Sequence, residues 1–359
     1  MTRLAGKSYP AILLLLLAFV FQAEAKTFRF DYQKTIDAAD SVEFYLSNIP
    51  GRIDIMGGAD NQVIIKAVKF VRASDQEEAE ELGAAIDIKV TRTENRISVL
   101  TDYLKSARKS PSFWDRLFGA DQEGFGGVDY TISVPRNCRL ELEGSPGDIM
   151  VDGISGELYI NASYGEVRLS AIAGNIDIEK NGPGEITFKD INGDISVSAS
   201  SCDLSLESVD GSADIRLTSG DIRGDGLQGS LVIAQSSGEV NLRRLSGDVR
   251  LRSNAGAIDI QQDSGAADIV TQAGDVTIKT ALKTYKDISV RTTAGRIVLT
   301  VPENSSGLLR LETGAGEIRT DLKLAVRSVT KNRLVGEFGS DGPKISLTTA
   351  SGHIEVTEY

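Results

Sequence analysis

The chain has 359 residues, of which 41% are hydrophobic and 6% aromatic, and its formal net charge is −12. This composition excludes a disordered chain and indicates a sizeable core made mainly of Ile, Val and Leu. The negative charge argues against nucleic acid or an anionic membrane surface as the main partner, and it favours cationic groups or neutral surfaces.

The first 25 residues have the three parts of a secretory signal peptide. Basic residues precede an apolar run over 11–21, and small residues follow up to Ala25. The alternative is a membrane anchor, but the run is short for one, so we expect cleavage between Ala25 and Lys26. Cleavage would take away two basic residues and one acidic residue, which changes the net charge from −12 to −13. We therefore expect an exported protein, periplasmic, on the cell surface or extracellular, with no transmembrane segment in the mature chain.

The region 26–135 is predicted to be rich in strands, at irregular spacing. Strand patterns cover 51–55, 62–70, 85–90, 96–99 and 128–134. Between them, residues 74–85 predict a short helix, with Ser74 and Glu77 as its capping box.

An insertion at 105–127 interrupts these strands. Basic residues come first, and the apolar side chains Phe113, Trp114, Leu117 and Phe118 follow. One interpretation is an amphipathic contact for a partner or a membrane. The interpretation we favour is that the insertion covers an open end of the fold and blocks edge-to-edge pairing of strands.

From residue 136 to the C-terminus at 359 the sequence repeats. Glycine returns every nine residues, with one extra residue near Pro183 and a cysteine, Cys202, in one glycine place. Aliphatic pairs two residues apart follow most glycines, as in Val240/Leu242 and Ile258/Ile260, which places both side chains on one face of a strand.

The turns between these strands alternate in character, so the full period is about 18 residues. In every second turn an aliphatic residue stands two places before the glycine: Ile154, Ile172, Ile191, Val209, Leu227 and Leu245. In the other turns we expect a small polar plug at that place: Ser145, Ser163, Ser200, Thr218, Ser236, Asn254 and Gln272.

The fold class predicted from this pattern is all-β, a single-stranded parallel β-solenoid with about 18 residues and two strands per coil. Stacked hairpins are the alternative, but hairpin loops would not keep a nine-residue spacing over so many strands. The glycines supply positive φ in the turns. Beyond Gly274 the spacing loosens, and we expect longer turns and then a terminal coil at 343–356.

One edge of the predicted solenoid carries an acidic ladder, which is the candidate metal or cation site. Its members follow the glycine places of alternate turns: Asp148, Glu166, Glu185, Asp203, Asp221, Glu239 and Asp275, with Ala257 as the one interruption. Carboxylates stacked at coil spacing would bind divalent cations or cationic partners. The alternative, which we favour, is that each acid accepts backbone N–H groups while water screens its neighbours.

The two cysteines, Cys138 and Cys202, are predicted to remain unpaired, although exported proteins often contain disulfides. They are 64 residues apart, more than three coils. At roughly 4.8 Å per coil the axial separation is about 17 Å, whereas a disulfide needs Cα atoms within about 7 Å.

The residues offer little for catalysis, and no cofactor is expected. The lone His353 follows a glycine in a turn, which is typical of a surface residue, and the cysteines do not cluster with histidine. Nucleophile-elbow, zinc-protease and phosphate-loop motifs are absent. A lyase or hydrolase acting on polysaccharide remains the alternative, because carboxylates from distant coils can still meet on such a scaffold.

The repeated "GDI" and "GEV" half-coils, the strand "VDYTISVP" leading into "GDIMVDGISGELYI" and the closing "SGHIEV" resemble the putative-adhesin family, domain of unknown function 4097. The resemblance covers roughly Gly51 to the end. It implies a β-solenoid and brings no catalytic residues with it. We expect a non-enzymatic, adhesin-like binding or scaffolding protein of the cell envelope, whose partner is an envelope or extracellular protein or glycan.

Overall fold

The computed structural model describes residues 26–39, 41–58, 61–103, 126–144, 147–283 and 285–359. These residues form 31 strands in two sheets and one helix, α1 (Gln76–Ala85). Sheet A contains β1 (Lys26–Asp37), β3 (Ile53–Gly57), β4 (Gln62–Ala73), β7 (Gly126–Val134), β9 (Ile149–Asp152), β11 (Val167–Ala173), β13 (Glu185–Asn192), β15 (Asp203–Asp210), β17 (Ile222–Gln228), β19 (Val240–Ser246), β21 (Ile258–Ser264), β23 (Val276–Thr280), β25 (Ile297–Val301), β27 (Ile318–Thr320) and β31 (Ile354–Glu358). Sheet B contains β2 (Ser41–Asn48), β5 (Ile86–Thr93), β6 (Arg96–Tyr103), β8 (Asn137–Gly144), β10 (Leu158–Ala162), β12 (Ile176–Lys180), β14 (Ile195–Ser201), β16 (Ala213–Ser219), β18 (Leu231–Ser237), β20 (Val249–Ala255), β22 (Ala267–Ala273), β24 (Ile288–Ala294), β26 (Gly307–Ala315), β28 (Ala325–Thr330), β29 (Arg333–Phe338) and β30 (Lys344–Ser351).

The predicted signal peptide and residues 105–125 of the predicted insertion lie outside the described residues. The boundary between the N-terminal region and the repeat region, placed between residues 135 and 136, stays a prediction. Strands from both sides of this boundary belong to the same two sheets.

The chain between β8 and β25 alternates between the sheets, and each strand pairs in parallel with the next strand of its own sheet. Val197 aligns with Ile215, and Ile215 aligns with Ile233, so the step is 18 residues. At Val167 and Ile186 the step is 19, because the turn that contains Pro183 holds one more residue. The predicted fold class, a parallel β-solenoid of two strands per coil, is confirmed.

Between the sheets lies a core of stacked aliphatic side chains. Ile215, Ile233, Leu251 and Ile269 occupy one inward column of sheet B and are fully buried. Their neighbours along each strand point outward, as the twofold alternation of a strand requires. Burial of each such side chain contributes roughly 1.5–3 kcal/mol before conformational entropy is subtracted.

Glycine is required at these turns for a second reason besides its positive φ. At Gly256 φ is +123°, and a Cβ built there would lie 1.9 Å from the carbonyl oxygen of Gly238 in the preceding coil. Stacked turns therefore approach each other through their backbones, and a side chain at this place would collide with backbone atoms that have little room to move.

The aliphatic plugs are buried as expected, and a bulge explains why they point inward. In sheet A one extra residue with positive φ stands immediately before each plug, as Asp190 (φ 54°) does before Ile191. This residue shifts the strand's alternation by one place. The residues with this conformation are Gly153, Ala171, Asp190, Ser208, Gly226 and Arg244.

The expected small polar plugs of the other turns are wrong by one residue. Thr218, Ser236, Asn254 and Gln272 are exposed, Ser163 and Ser200 are half-buried, and Ser145 lies outside the described residues. The buried side chains are those one place earlier: Leu217, Gln235, Ser253 and Thr271. Sheet B has no bulge at this point, so the alternation continues to a third inward position.

The spatial order of coils at both ends differs from the chain order. The coil of β30 and β31 lies between the coil of β24 and β25 and that of β26 and β27. The expectation of a terminal coil at 343–356 is therefore wrong, because this last segment is inserted one coil inside the end. At the other end β2 and β3 lie inside β6 and β7. Antiparallel strands cover the outermost coils, with β29 on β26, β4 on β7 and β5 on β6.

Helix α1 begins one residue later than the predicted capping box. Its N-cap is Asp75, which accepts the N–H of Glu78 at 2.9 Å. Glu78 accepts the N–H of Ser74, the residue before the N-cap, at 2.9 Å. The side chains that cap the helix are therefore Asp75 and Glu78, and not the predicted Ser74 and Glu77. The described residues include no helix long and apolar enough to cross a membrane.

Candidate functional site

The predicted acidic ladder lies in one column where the chain passes from sheet B to sheet A, which we call the acidic edge. Four of its aspartates each accept a backbone N–H from the same place in the next coil. The pairs are Asp148 with Glu166 N (2.9 Å), Asp203 with Asp221 N (2.9 Å), Asp221 with Glu239 N (2.9 Å) and Asp275 with Arg296 N (2.8 Å). An aspartate carboxylate is short enough to reach this donor, so these side chains join neighbouring coils.

Arginines on the outer face of sheet A compensate part of the ladder's charge. Arg223 contacts Asp221 at 2.9 Å, and Arg168 contacts Glu166. Within the described ranges, no three His, Cys, Asp or Glu side chains are grouped so that they could hold a metal ion. Cation binding by the ladder stays a prediction.

His353 takes a ladder place near the C-terminal end. Its Nδ1 accepts the N–H of Glu317 at 3.1 Å, as an aspartate does in the other coils. The histidine therefore has a structural contact at the acidic edge.

A groove of about 540 Å³ lies on the outer face of sheet B, beside the edge where the chain passes from sheet A to sheet B. We call it the Tyr159 groove. It extends from Arg139 in β8 to Val232 in β18, which is six strands and therefore about 24 Å along the solenoid axis. Its polar lining side chains include Tyr159, Asn175, Asp177, Asp194, Ser196, Ser212, Asp214 and Ser230.

Hydrogen bonds hold one wall of the Tyr159 groove in place. Asn175 accepts the N–H of Asp194 at 3.2 Å, and Asp194 accepts the N–H of Ser212 at 2.8 Å. The hydroxyl groups of Ser212 and Ser230 lie 3.1 Å apart. Side chains fixed in this way lose little conformational entropy when a ligand binds.

The electrostatic environment of the groove is negative at Tyr159. Partial burial raises the pKa of this phenol, and the charges of four neighbouring carboxylates raise it further. These carboxylates belong to the flanking strands β12 and β8: Glu179, Asp177, Glu143 and Glu141. The groove therefore suits a neutral or positively charged ligand better than an anionic one.

Two other groove carboxylates already have partners. Asp214 is 2.7 Å from Arg216, and Glu157 is 3.6 Å from Arg139. Both carboxylates therefore face an arginine on the outer face of sheet B.

Both cysteines are buried and free, and they lie at different edges. Cys138 precedes Gly156 by one coil, whereas Cys202 precedes Gly220 at the acidic edge. Burial raises the pKa of the Cys138 thiol to about 12. Their unpaired state in the oxidised protein stays a prediction.

Sequence reasoning missed the Tyr159 groove and the buried Lys180. The groove is lined by residues from six strands and the turns before them. Along the chain these residues are far apart, and none of them forms a recognisable motif. Lys180 carried a signal, because it is a charged residue at an inward place of β12, next to the one turn with an extra residue.

The family described as Toastrack, domain of unknown function 4097, matches residues 53–247 and again 244–357. The chain is also similar to the crystal structure of a putative cell adhesion protein from Clostridium sporogenes, with 10% identity over 92% of this chain and 100% of that chain and a TM-score of 0.20. A putative adhesin from Bacteroides fragilis has 13% identity over 93% of this chain and 97% of its own, with a TM-score of 0.29. A search of curated proteins finds no match.

Proposed function

This chain belongs to the Toastrack family, domain of unknown function 4097, and from that premise we propose that it is an exported, adhesin-like binding protein of the cell envelope. The observation that carries the proposal is the Tyr159 groove, a preorganised trough that crosses six parallel strands. Its length suits an extended chain, and its hydroxyl, amide and carboxylate groups suit a hydroxylated ligand.

We further propose that the ligand is a neutral or basic glycan chain. The ring of Tyr159 offers an apolar face, and Asn175, Ser196 and Ser212 offer hydrogen bonds beside it. The carboxylates around Tyr159 would repel an anionic polysaccharide. An extended segment of an envelope protein is the other outcome that the test must distinguish.

The test compares Tyr159→Ala with Tyr285→Ala. Tyr285 is 77% exposed and lies outside the groove, so it controls for loss of a surface tyrosine. We expect the wild type and Tyr285→Ala to retain neutral and amino-sugar glycans on an array and to bind the same chains in calorimetry. Tyr159→Ala should lose about tenfold or more in affinity, the scale of one aromatic contact.

Equal glycan binding by both variants would refute the groove as the site. If the protein captures only a protease-sensitive component from envelope fractions, at both low and high salt, the ligand is an envelope protein and not a glycan. The enzyme alternative predicts release of reducing ends or unsaturated sugars, and an Asp177→Asn variant that abolishes this release would favour it.

A further inference from the structure

The two outermost strands of sheet B each have one edge without a partner strand among the described residues. These strands are β5 at the N-terminal end of the solenoid and β28 at the C-terminal end. β28 is exposed over its whole length, and the side chains of Val326 and Val329 are 55% and 67% exposed. A strand edge of this kind is a template on which another strand can pair.

The two ends of the solenoid are stepped in opposite directions. Beyond the coil of β26 and β27, sheet B continues with β29 and β28, whereas sheet A stops at β27. Beyond the coil of β6 and β7, sheet A continues with β4 and β1, whereas sheet B continues only with β5. The sheet that projects at one end is therefore the sheet that is recessed at the other. When two copies are stacked end to end, β28 of one copy meets β5 of the next, and β27 and β1 stay about one strand width apart.

The strand directions suit this contact. β28 runs in the same direction as β26, since each of them is antiparallel to β29. A continuous series of parallel pairs connects β26 through the coils to β6. β5 is antiparallel to β6. In two copies stacked in the same orientation, β28 and β5 therefore meet as an antiparallel pair, which is the slightly more stable arrangement per residue.

The charges of sheet B are opposite at its two ends. Residues 322–336 include β28 and most of β29, and we call them the basic hairpin. They contain four basic residues and no acidic one: Lys323, Arg327, Lys331 and Arg333. Of these, Arg327 contacts Glu337. Residues 74–93, which contain α1 and β5, have six acidic and two basic residues and a net charge of −4.

Sheet A has the reverse pattern. At the N-terminal end β1 and β4 together contain six basic and two acidic residues, a net charge of +4. At the C-terminal end, residues 317–321 and 354–358 have a net charge of −3, from Glu317, Asp321, Glu355, Glu358 and Arg319. Stacking in the same orientation brings opposite charges together in both sheets. A two-fold contact of β28 with β28 would instead bring two basic hairpins together.

We propose that copies of this chain associate end to end, with β28 of one copy paired to β5 of the next and the basic hairpin beside the acidic helix α1. The contact joins two different surfaces, so each copy keeps one free end and the assembly grows as an open chain. Val326 and Val329 lose exposed apolar surface in the contact, and the charges steer the ends together. The Tyr159 groove, between β8 and β18, takes no part in it.

The test is sedimentation velocity of the full mature chain over a range of concentrations, at about 0.05 M and about 0.5 M salt. At low salt we expect the average mass to rise with concentration past that of two copies, and at high salt we expect it to fall toward one copy. Lys331→Glu/Arg333→Glu in the basic hairpin and Glu77→Lys/Glu81→Lys in α1 should each weaken association about tenfold or more, because like charges then meet. An equimolar mixture of these two variants should associate again, since their ends are complementary.

Lys189→Glu/Arg243→Glu is the matched control. Both side chains are exposed on sheet A, in β13 and β19, away from the two ends, and their reversal changes the net charge as much as the hairpin variant does. This control should associate as the wild type does, and thermal melting should show that every variant is folded.

Three results would overturn the proposal. One is a single copy at every concentration, which is expected if the insertion at 105–127 blocks the strand edge. Another is a mass that stops at two copies, which indicates a two-fold contact. The third is sedimentation of single copies with anionic vesicles that the hairpin variant loses, which would assign the basic hairpin to a membrane surface.

Discussion

Replacement of Gly256 by alanine tests the explanation of the glycine repeat. The new Cβ would lie 1.9 Å from the carbonyl oxygen of Gly238 and 2.7 Å from its carbonyl carbon, far inside van der Waals contact. Relief requires the two turns to separate, which weakens the hydrogen bonds on both sides. Overpacking of this kind costs about 1–3 kcal/mol, and the φ of +123° costs a residue with a side chain about 1–3 kcal/mol more. We expect Gly256→Ala to lower the free energy of unfolding by about 2–6 kcal/mol.

Gly226→Ala is the matched control. Gly226 has a φ of +71°, and the nearest atom to a Cβ there is 3.8 Å away. Ala171 holds the same turn position in another coil with a φ of 52°, so the fold accepts alanine at this place. We expect Gly226→Ala to cost about 1 kcal/mol, from the left-handed conformation alone.

The free energy of unfolding of both variants is measured by urea unfolding followed by circular dichroism, with thermal melting as a second probe. Gly58→Ala separates strain from collision, because Gly58 has a φ of +146° and no atom lies within 4 Å of its built Cβ. If Gly256→Ala is no less stable than Gly226→Ala, the close approach of stacked turns does not explain the repeat.

Four further predictions follow from the edges of the solenoid. Asp203→Ala should lower the free energy of unfolding in urea by about 1 kcal/mol, because it leaves the N–H of Asp221 without its acceptor. Glu185→Ala, for which no such bond is seen, should leave the stability unchanged, and an equal loss in both variants would contradict the proposed role of the aspartate. If the acidic ladder binds calcium, millimolar calcium should raise the melting temperature of the wild type more than that of a Glu185/Asp203/Asp221 triple alanine variant. Equal shifts would exclude calcium binding by the ladder. The N–H of Ala266 and then Lys286 lower the pKa of Asp248, so its stabilisation is present at neutral pH and is lost as the pH falls through the lowered value. The melting temperatures of wild type and Asp248→Ala should therefore differ at neutral pH and converge as the pH is lowered, and a constant difference would refute the linkage. Protein prepared without oxygen should resist alkylation of Cys138 and Cys202 while it is folded. When it is denatured without reductant, it should take up two alkyl labels. A Cys138–Cys202 disulfide found by mass spectrometry would contradict the coil assignment.

The sequence by itself determined the architecture, because the repeat is a local property. A glycine every nine residues, aliphatic pairs two apart and a plug such as Ile191 in alternate turns each constrain a few neighbouring residues. Stacking then follows without long-range choices, since each coil pairs with the next at a fixed step. The same regular step makes the column of Asp203 and Asp221 recognisable from residue spacing alone.

The tertiary structure decided the features that depend on contacts between coils. The φ of Asp190 and the bulge it creates explain why the plug after it points inward, and no residue type marks the bulge, since alanine, serine, arginine and glycine also occupy this place. The last coil lies one place inside the end because β26 pairs with β29 and leaves a gap that β30 fills. The Tyr159 groove joins residues from six strands in different coils, so it arises from the strand register, which only the stacked fold supplies.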